Sequence, residues 1–269
     1  MDPRLAVLKK IKCFILDMDG TIYLGGKLIP GADEFIRCLA PFGIDHYFYT
    51  NNSSKNVMFY EEKLRKMNVP GGDGRVMISN AVILRYLKKN KPDARVFLLG
   101  TPYLRADFES AGITLCEDDP DIVVVGFDTT LAYDRLSKAC SFIRKGVPVY
   151  GVNPDLNCPV EDGFIPDCGS IFALITTSTG VEPLEYFGKP SRRTLEYVLD
   201  ETGYKEEEVA FVGDRLYTDI AVCKGTKAQG LLVLSGESTV EDIPKYGVEP
   251  SAIFSSVDEI RKLLCEIYR

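Results

Sequence analysis

The chain has 269 residues, of which 45% are hydrophobic, enough to bury the core of one or two domains. No run approaches the roughly 20 apolar residues that span a bilayer, and the charged stretch Met1–Lys12 does not read as a secretion signal, so a cytoplasmic protein without membrane contact is expected. A net charge of −7 argues against nucleic-acid binding, which needs a basic stripe, yet leaves room for a small anion held by local cations.

Short apolar runs alternate with amphipathic stretches, the pattern of βα units around a parallel sheet. Cys13–Leu16 is predicted as the first strand and stops at Asp17; His46–Tyr49 is the second and stops at Thr50. A helix is predicted over Lys55–Met67. Residues 80–182 hold a set of their own: a helix over Ala81–Lys89, strands at Arg95–Leu99, Ile113–Cys116 and Ile122–Phe127, a helix over Leu131–Lys145 and a strand at Val147–Val152. The later segments are a helix over Ser191–Glu201 and strands at Ala210–Val212, Leu231–Leu234 and Ala252–Phe254. Chemistry-bearing strands precede and follow the middle set. It is therefore read as an α/β insertion, 80–182, into a discontinuous domain made of 1–79 and 183–269.

The eight cysteines are scattered without a Cys-x-x-Cys pair, and His46 is the single histidine. A disulfide framework or a mixed His/Cys zinc site does not fit that spacing, so free thiols are expected.

Asp17-Met18-Asp19-Gly20-Thr21 follows the first strand. Two carboxylates this close at a strand end can share a divalent cation. One carboxylate can attack phosphorus while the other moves protons. The same turn also fits a plain acidic cap. Gly213-Asp214 ends a later strand, and Asp214 can complete an oxygen-ligand set of the kind Mg²⁺ takes, with Asp219 supporting it. Alone, these acids fit an ordinary loop and helix start better; with Asp17 and Asp19 at the end of another strand they do not. Thr50-Asn51-Asn52-Ser53-Ser54 offers a hydroxyl and amides for an anion, or an N-cap cluster. Lys189, before Pro190, supplies a cation; the spacing is not that of a Walker A loop. In an open parallel sheet, ligands bind beyond the carboxyl ends of the strands, and Asp17, Thr50 and Asp214 all sit at such ends. A nucleophile, a hydroxyl, a metal ligand and a cation are the inventory of phosphoryl transfer.

In this order the motifs resemble the haloacid dehalogenase (HAD) superfamily, and Gly25, Ile29–Ala32, Thr50–Ser53, Asn153-Pro154-Asp155, Gly169-Ser170, Gly188-Lys189-Pro190 and Gly213–Leu216 are similar to its NagD-like branch. That branch holds p-nitrophenylphosphatases, phosphoglycolate phosphatases and pyridoxal phosphate phosphatases. The resemblance covers about residues 12–236. It implies a Rossmann-like core with an inserted α/β cap, a Mg²⁺ cofactor, and hydrolysis of small phosphorylated metabolites through an aspartyl-phosphate. Asp17 would be the nucleophile and a metal ligand. Asp19 would be the general acid/base and bind metal through its carbonyl. Thr50 and Lys189 would hold the phosphoryl group beside Asn51 and Asn52. Asp214 would ligate Mg²⁺, and Thr21 and Asp219 would support the site. The cap loop with Asn153, Asp155 and Cys158 would face the leaving group, and the cap is also where a homodimer would form. Cys158 stands before Pro159 where vertebrate pyridoxal phosphate enzymes carry His, which disfavours that substrate. Asp19 also disfavours P-type ATPases, which have Lys there, and dehalogenases, which lack the acid. A phosphotransferase or mutase on the same core, or a non-catalytic binding protein, remain the alternatives.

Overall fold

The computed structural model describes residues 2–160 and 163–268. In chain order the strands are β1 (Cys13–Leu16), β2 (Tyr23–Leu24), β3 (Lys27–Leu28), β4 (Asp45–Thr50), β5 (Val76–Ile78), β6 (Val96–Leu99), β7 (Ile122–Val125), β8 (Val149–Gly151), β9 (Asn157–Val160), β10 (Gly163–Pro166), β11 (Val209–Gly213), β12 (Gln229–Val233) and β13 (Ala252–Phe254). By internal contact the chain divides into two units. One comprises Met1–Thr50, Tyr60–Met77 and Thr194–Arg269; the other comprises Asn51–Phe59 and Ile78–Arg193.

The first unit is built on a six-stranded sheet in the order β13-β12-β11-β1-β4-β5. A strand covered on both faces needs apolar side chains at every position rather than at alternate ones. All four residues of β1 and all five of β11 are buried, which is why each reads as an unbroken apolar run. β1 lies parallel to both neighbours, with Leu16 opposite Val212 on one side and Phe48 on the other. Phe14 on β1 meets Phe35 of the helix Ala32–Leu39 edge to face, with ring centroids 5.6 Å apart. The strand order runs outward in both directions from β1, so the crevice where successive crossovers part company opens at the carboxyl end of β1. Asp17 is the first residue beyond that end.

The second unit holds a three-stranded parallel sheet, β6-β7-β8, and the separate hairpin β9-β10. Its core gathers Phe97, Val123, Phe127, Phe142, Phe172 and Ile175 between the sheet and the helices Tyr133–Arg144 and Cys168–Thr179. The segments 51–59 and 183–193, which the sequence placed with the first domain, group with this unit.

Two predicted strands need correction. Ile113–Cys116 forms only an isolated bridge, Leu115 to Val96. Its continuation is charged, and Glu117 is drawn out to Arg105 and Arg135, each 3.0 Å away, before pairing can extend. The strand predicted at Leu231–Leu234 begins earlier, at Gln229. The hairpin β9-β10 had no apolar alternation to betray it, because all four residues of β10 are exposed. No helix among the described residues is long and apolar enough to cross a membrane.

Candidate active site

The carboxyl ends of β1 and β11 bring three acids together. Asp17, Asp214 and Asp219 each offer a ligand atom, and these atoms lie within 4.8 Å of one another. Backbone geometry sets this spacing. The Asp17 amide donates to the Val212 carbonyl at 2.8 Å, extending the β1–β11 ladder by one residue and leaving the Asp17 carboxylate at the rim. After Gly213 the chain passes through Asp214 into a single π-helical turn, Leu216–Ile220. That wide turn carries Asp219 back beneath the end of β11, where its Oδ2 accepts from the Arg215 amide at 3.0 Å.

Two glycines make room for the cluster. Gly20 has φ +81°, which favours a residue without Cβ, and a Cβ there would collide with the Asp214 carboxylate. A Cβ on Gly213 would collide with the Asp219 carboxylate. The loop beyond β12 closes the other side: the Glu237 amide donates to Asp214 Oδ2 at 2.7 Å, and the Ser235 hydroxyl donates to the Gly20 carbonyl at 2.7 Å. Asp214 Oδ1 is buried and has no hydrogen-bond partner among the described residues. Burial, with Asp219 alongside, pushes the Asp214 carboxyl up to about 7. Three acids crowded together, two of them buried and one with an unsatisfied oxygen among the described residues, fit a hard divalent cation with oxygen ligands.

The Asp19 carboxylate is not part of that group. It lies 4.0 Å from Lys63 Nζ, which in turn sits 3.8 Å over the Tyr23 ring. Burial raises the Asp19 pKa, with Lys63 and Arg215 pulling the other way. An acid whose proton is held more tightly than in water suits a proton donor. Thr50 ends β4, next to β1 in the sheet, and is buried. Thr21 is fully buried, and its hydroxyl has no partner among the described residues.

Several expected binding residues prove to be internal fasteners of the second unit. Asn51 Nδ2 donates to Asp155 Oδ2 at 2.7 Å and to the Lys189 carbonyl at 2.8 Å, while its Oδ1 accepts from the Lys189 amide at 2.8 Å. Both amide hydrogens are used, so the Asn51 side chain has none left for a phosphate. Asn52 Oδ1 accepts from the amide and hydroxyl of Ser54, and its Nδ2 reaches the Cys158 sulfur at 3.3 Å. This is the local-turn alternative to anion binding. Asn153 and Asp155 are buried rather than aimed outward. Asn153 links the Ser53 hydroxyl at 2.8 Å to Asp167 at 3.0 Å. A buried polar group must find partners, and these two find them within the unit. Lys189 is also buried, at 2% exposure, which for a cation requires a paired setting. Cys158 is half-buried on the hairpin.

The sequence reading missed two contributors, Lys63 and the loop Ser235–Ser238. The loop carried a usable signal: it follows a strand at the sheet's carboxyl edge. Lys63 carried none, since it is one of several cations along an exposed-looking helix.

Known proteins resemble this chain in sequence and fold. A family model described as haloacid dehalogenase-like hydrolase matches residues 14–114, and a second HAD-like model matches 186–260. The chain is 35% identical to an acid sugar phosphatase of Staphylococcus aureus, over 94% of this chain and 97% of that one. A 4-nitrophenylphosphatase from Thermotoga maritima superposes with a TM-score of 0.91 at 43% identity, covering 95% of this chain and 98% of the other. NagD from Escherichia coli K-12 superposes with a TM-score of 0.84 at 30% identity, covering 93% and 98%.

Proposed function

Because the chain belongs to the haloacid dehalogenase-like hydrolases, in their NagD-type branch, and is a phosphatase of that family, we propose that it cleaves small phosphate monoesters by way of an aspartyl-phosphate on Asp17, with Mg²⁺ as its cofactor. The observation that carries the reading is the trio of half-buried Asp17 and buried Asp214 and Asp219 at two strand ends, with Asp214 Oδ1 lacking a hydrogen-bond partner among the described residues.

Asp17 and Asp214 would hold the ion, with Asp219 close enough to ligate it directly or to orient a bound water. When bound, Mg²⁺ supplies neutralising charge for the acids and the phosphate oxygens. In the first step an oxygen of Asp17 attacks phosphorus as the leaving-group oxygen takes a proton from Asp19. In the second, Asp19 takes a proton from water, and that water attacks phosphorus, restoring the Asp17 carboxylate and freeing inorganic phosphate. The raised pKa of Asp19 supports its donor role in the first step. Thr50 and Lys189 are assigned to the transferring phosphoryl group. The second unit, Asn51–Phe59 and Ile78–Arg193, is assigned the role of substrate-selecting cap. Sugar phosphates are the first substrates to try, since the staphylococcal relative bears the name acid sugar phosphatase.

The test is release of nitrophenol from p-nitrophenyl phosphate, with Mg²⁺ and then with chelator, beside Asp17→Asn. Turnover that vanishes with chelator and with the variant is expected. Full Mg²⁺-dependent turnover by Asp17→Asn would overturn the reading.

A further inference from the structure

The helices Ala32–Leu39 and Val257–Ile267 lie against each other and run in the same direction. Their register can be read from two contacts. Gly31, the N-cap of the first, is so near the second that a Cβ there would stand 2.5 Å from Asp258 Cβ. Beyond their far ends, Phe42 stacks on Tyr268, with ring centroids 4.9 Å apart and planes 13° from parallel. Between these two contacts each helix carries one cysteine. Cys38 lies seven residues after Gly31, and Cys265 lies seven after Asp258. Seven residues make close to two helical turns, so both cysteines return to the shared face at the same level.

Other observations agree. Both thiols are half-buried, whereas Cys13, Cys140, Cys168 and Cys223 are buried. Cys265 is among the causes, after burial, that push the Cys38 thiol up to about 11, and Arg261, one turn before Cys265, feels both sulfurs, as expected of neighbours; the raised value leaves the first attack to Cys265. The Cys38 thiol donates to the Phe35 carbonyl at 3.0 Å, a weak bond that costs little to give up.

We propose that Cys38 and Cys265 form an oxidisable dithiol, a modification site that closes into a disulfide between the two helices when the protein meets a small disulfide such as oxidised glutathione. One protein thiolate attacks a sulfur of glutathione disulfide and expels one glutathione thiolate, leaving a mixed disulfide. The second protein thiolate attacks the protein sulfur of that bond and expels the other glutathione. The protein gives up two electrons and two protons, and glutathione disulfide is reduced to two thiols. The link closes a loop of more than two hundred residues, so it constrains the unfolded chain strongly.

The purified full chain is incubated with oxidised glutathione, blocked with an alkylating agent, digested with trypsin without reductant and mapped by mass. The expected product joins the peptide that begins at Cys38 to the peptide 263–269 that contains Cys265. Its formation should raise Tm by roughly 5–10 °C, a rise reversed by reductant and absent in Cys38→Ser and in Cys265→Ser. Free thiols at both positions after oxidation, or glutathione retained on either without a cross-link, would overturn the proposal. A cross-link that leaves Tm unchanged would overturn its role as a staple between the helices.

Discussion

Asp214 concentrates the tension in the site. Its carboxylate is buried, one oxygen has no hydrogen-bond partner among the described residues, and the Asp219 carboxylate stands beside it. Such a group favours its neutral form and, when ionised, weakens the metal-free fold. Asp214→Asn should therefore raise the Tm of the chelated protein at about pH 8, where the wild-type carboxylate is charged, while lowering turnover roughly a hundredfold or more. The sign follows from linkage. The folded pKa lies above the unfolded one, so protonation favours the folded state and ionisation is what the variant removes. The Tm advantage should then shrink as the pH falls to about 5, where the folded wild type already holds the proton. Thermal melts at both pH values check this; a variant less stable than wild type at pH 8 would count against it. The residue scale also marks where the sequence misled. Asn51, Asn153 and Asp155 looked like binding groups because they are polar and lie in turns. Apart from the local Asn153–Asp155 bond, their partners lie far away in the chain, Asn51 with Asp155 and the Lys189 backbone and Asn153 with Ser53 and Asp167, and no local pattern encodes such pairings.

At the scale of single elements, strands buried on both faces were legible and exposed ones were not. β1, β4 and β11 read directly as apolar runs ending in a chemistry-bearing residue. β9 and β10 lie open to solvent with Pro159 and Pro166 among them, so composition gave no warning of a hairpin. The π-helical turn after β11 was equally silent, and with it the inward swing of Asp219. β4 carries a further consequence. His46 is buried within it, at 8% exposure, and edge-on to Phe48, with ring centroids 5.5 Å apart. Burial, with Arg75 beside it, lowers its pKa from 6.5 to about 4. The folded state thus refuses a proton that the unfolded chain accepts. The resulting stability is complete above about pH 6.5 and is lost as the pH falls through about 4, at most about 3 kcal/mol in all. Denaturant titrations at about pH 7.5 and about pH 5 should show a smaller loss on acidification for His46→Gln than for wild type. Equal losses in the two proteins would refute this account of β4.

The chain as a whole crosses between its two units four times, and two of those crossings fall at Thr50–Asn51 and Arg193–Thr194. Asn51 fastens the start of one crossing segment to Lys189, near the end of the other, by two hydrogen bonds to the Lys189 backbone, and makes a third to Asp155. Asn51→Ala leaves the Asp155 carboxylate and the Lys189 peptide groups short of partners in a buried setting. It should cost about 2–4 kcal/mol and, by loosening Lys189, raise KM more than it lowers kcat. Urea unfolding and steady-state kinetics on the same samples separate the two effects; an unchanged KM would remove Lys189 from phosphate binding.

The order of strands in the main sheet also sets a schedule. β1 lies against β11, and Asp17 waits for Asp214 and Asp219, which follow almost two hundred residues later. At ordinary rates of protein synthesis, roughly 5–20 residues per second, that interval is roughly 10–40 s. During it the ribosome has already released the whole of the second unit, which can fold, while β1 still lacks the neighbour that completes its ladder. A nascent chain thus lacks the complete acid cluster until its last quarter emerges. A ribosome stalled between Arg193 and β11 leaves a product that carries Asp17 and the whole of the second unit but lacks Asp214 and Asp219, and so lacks the acid cluster proposed to hold the ion.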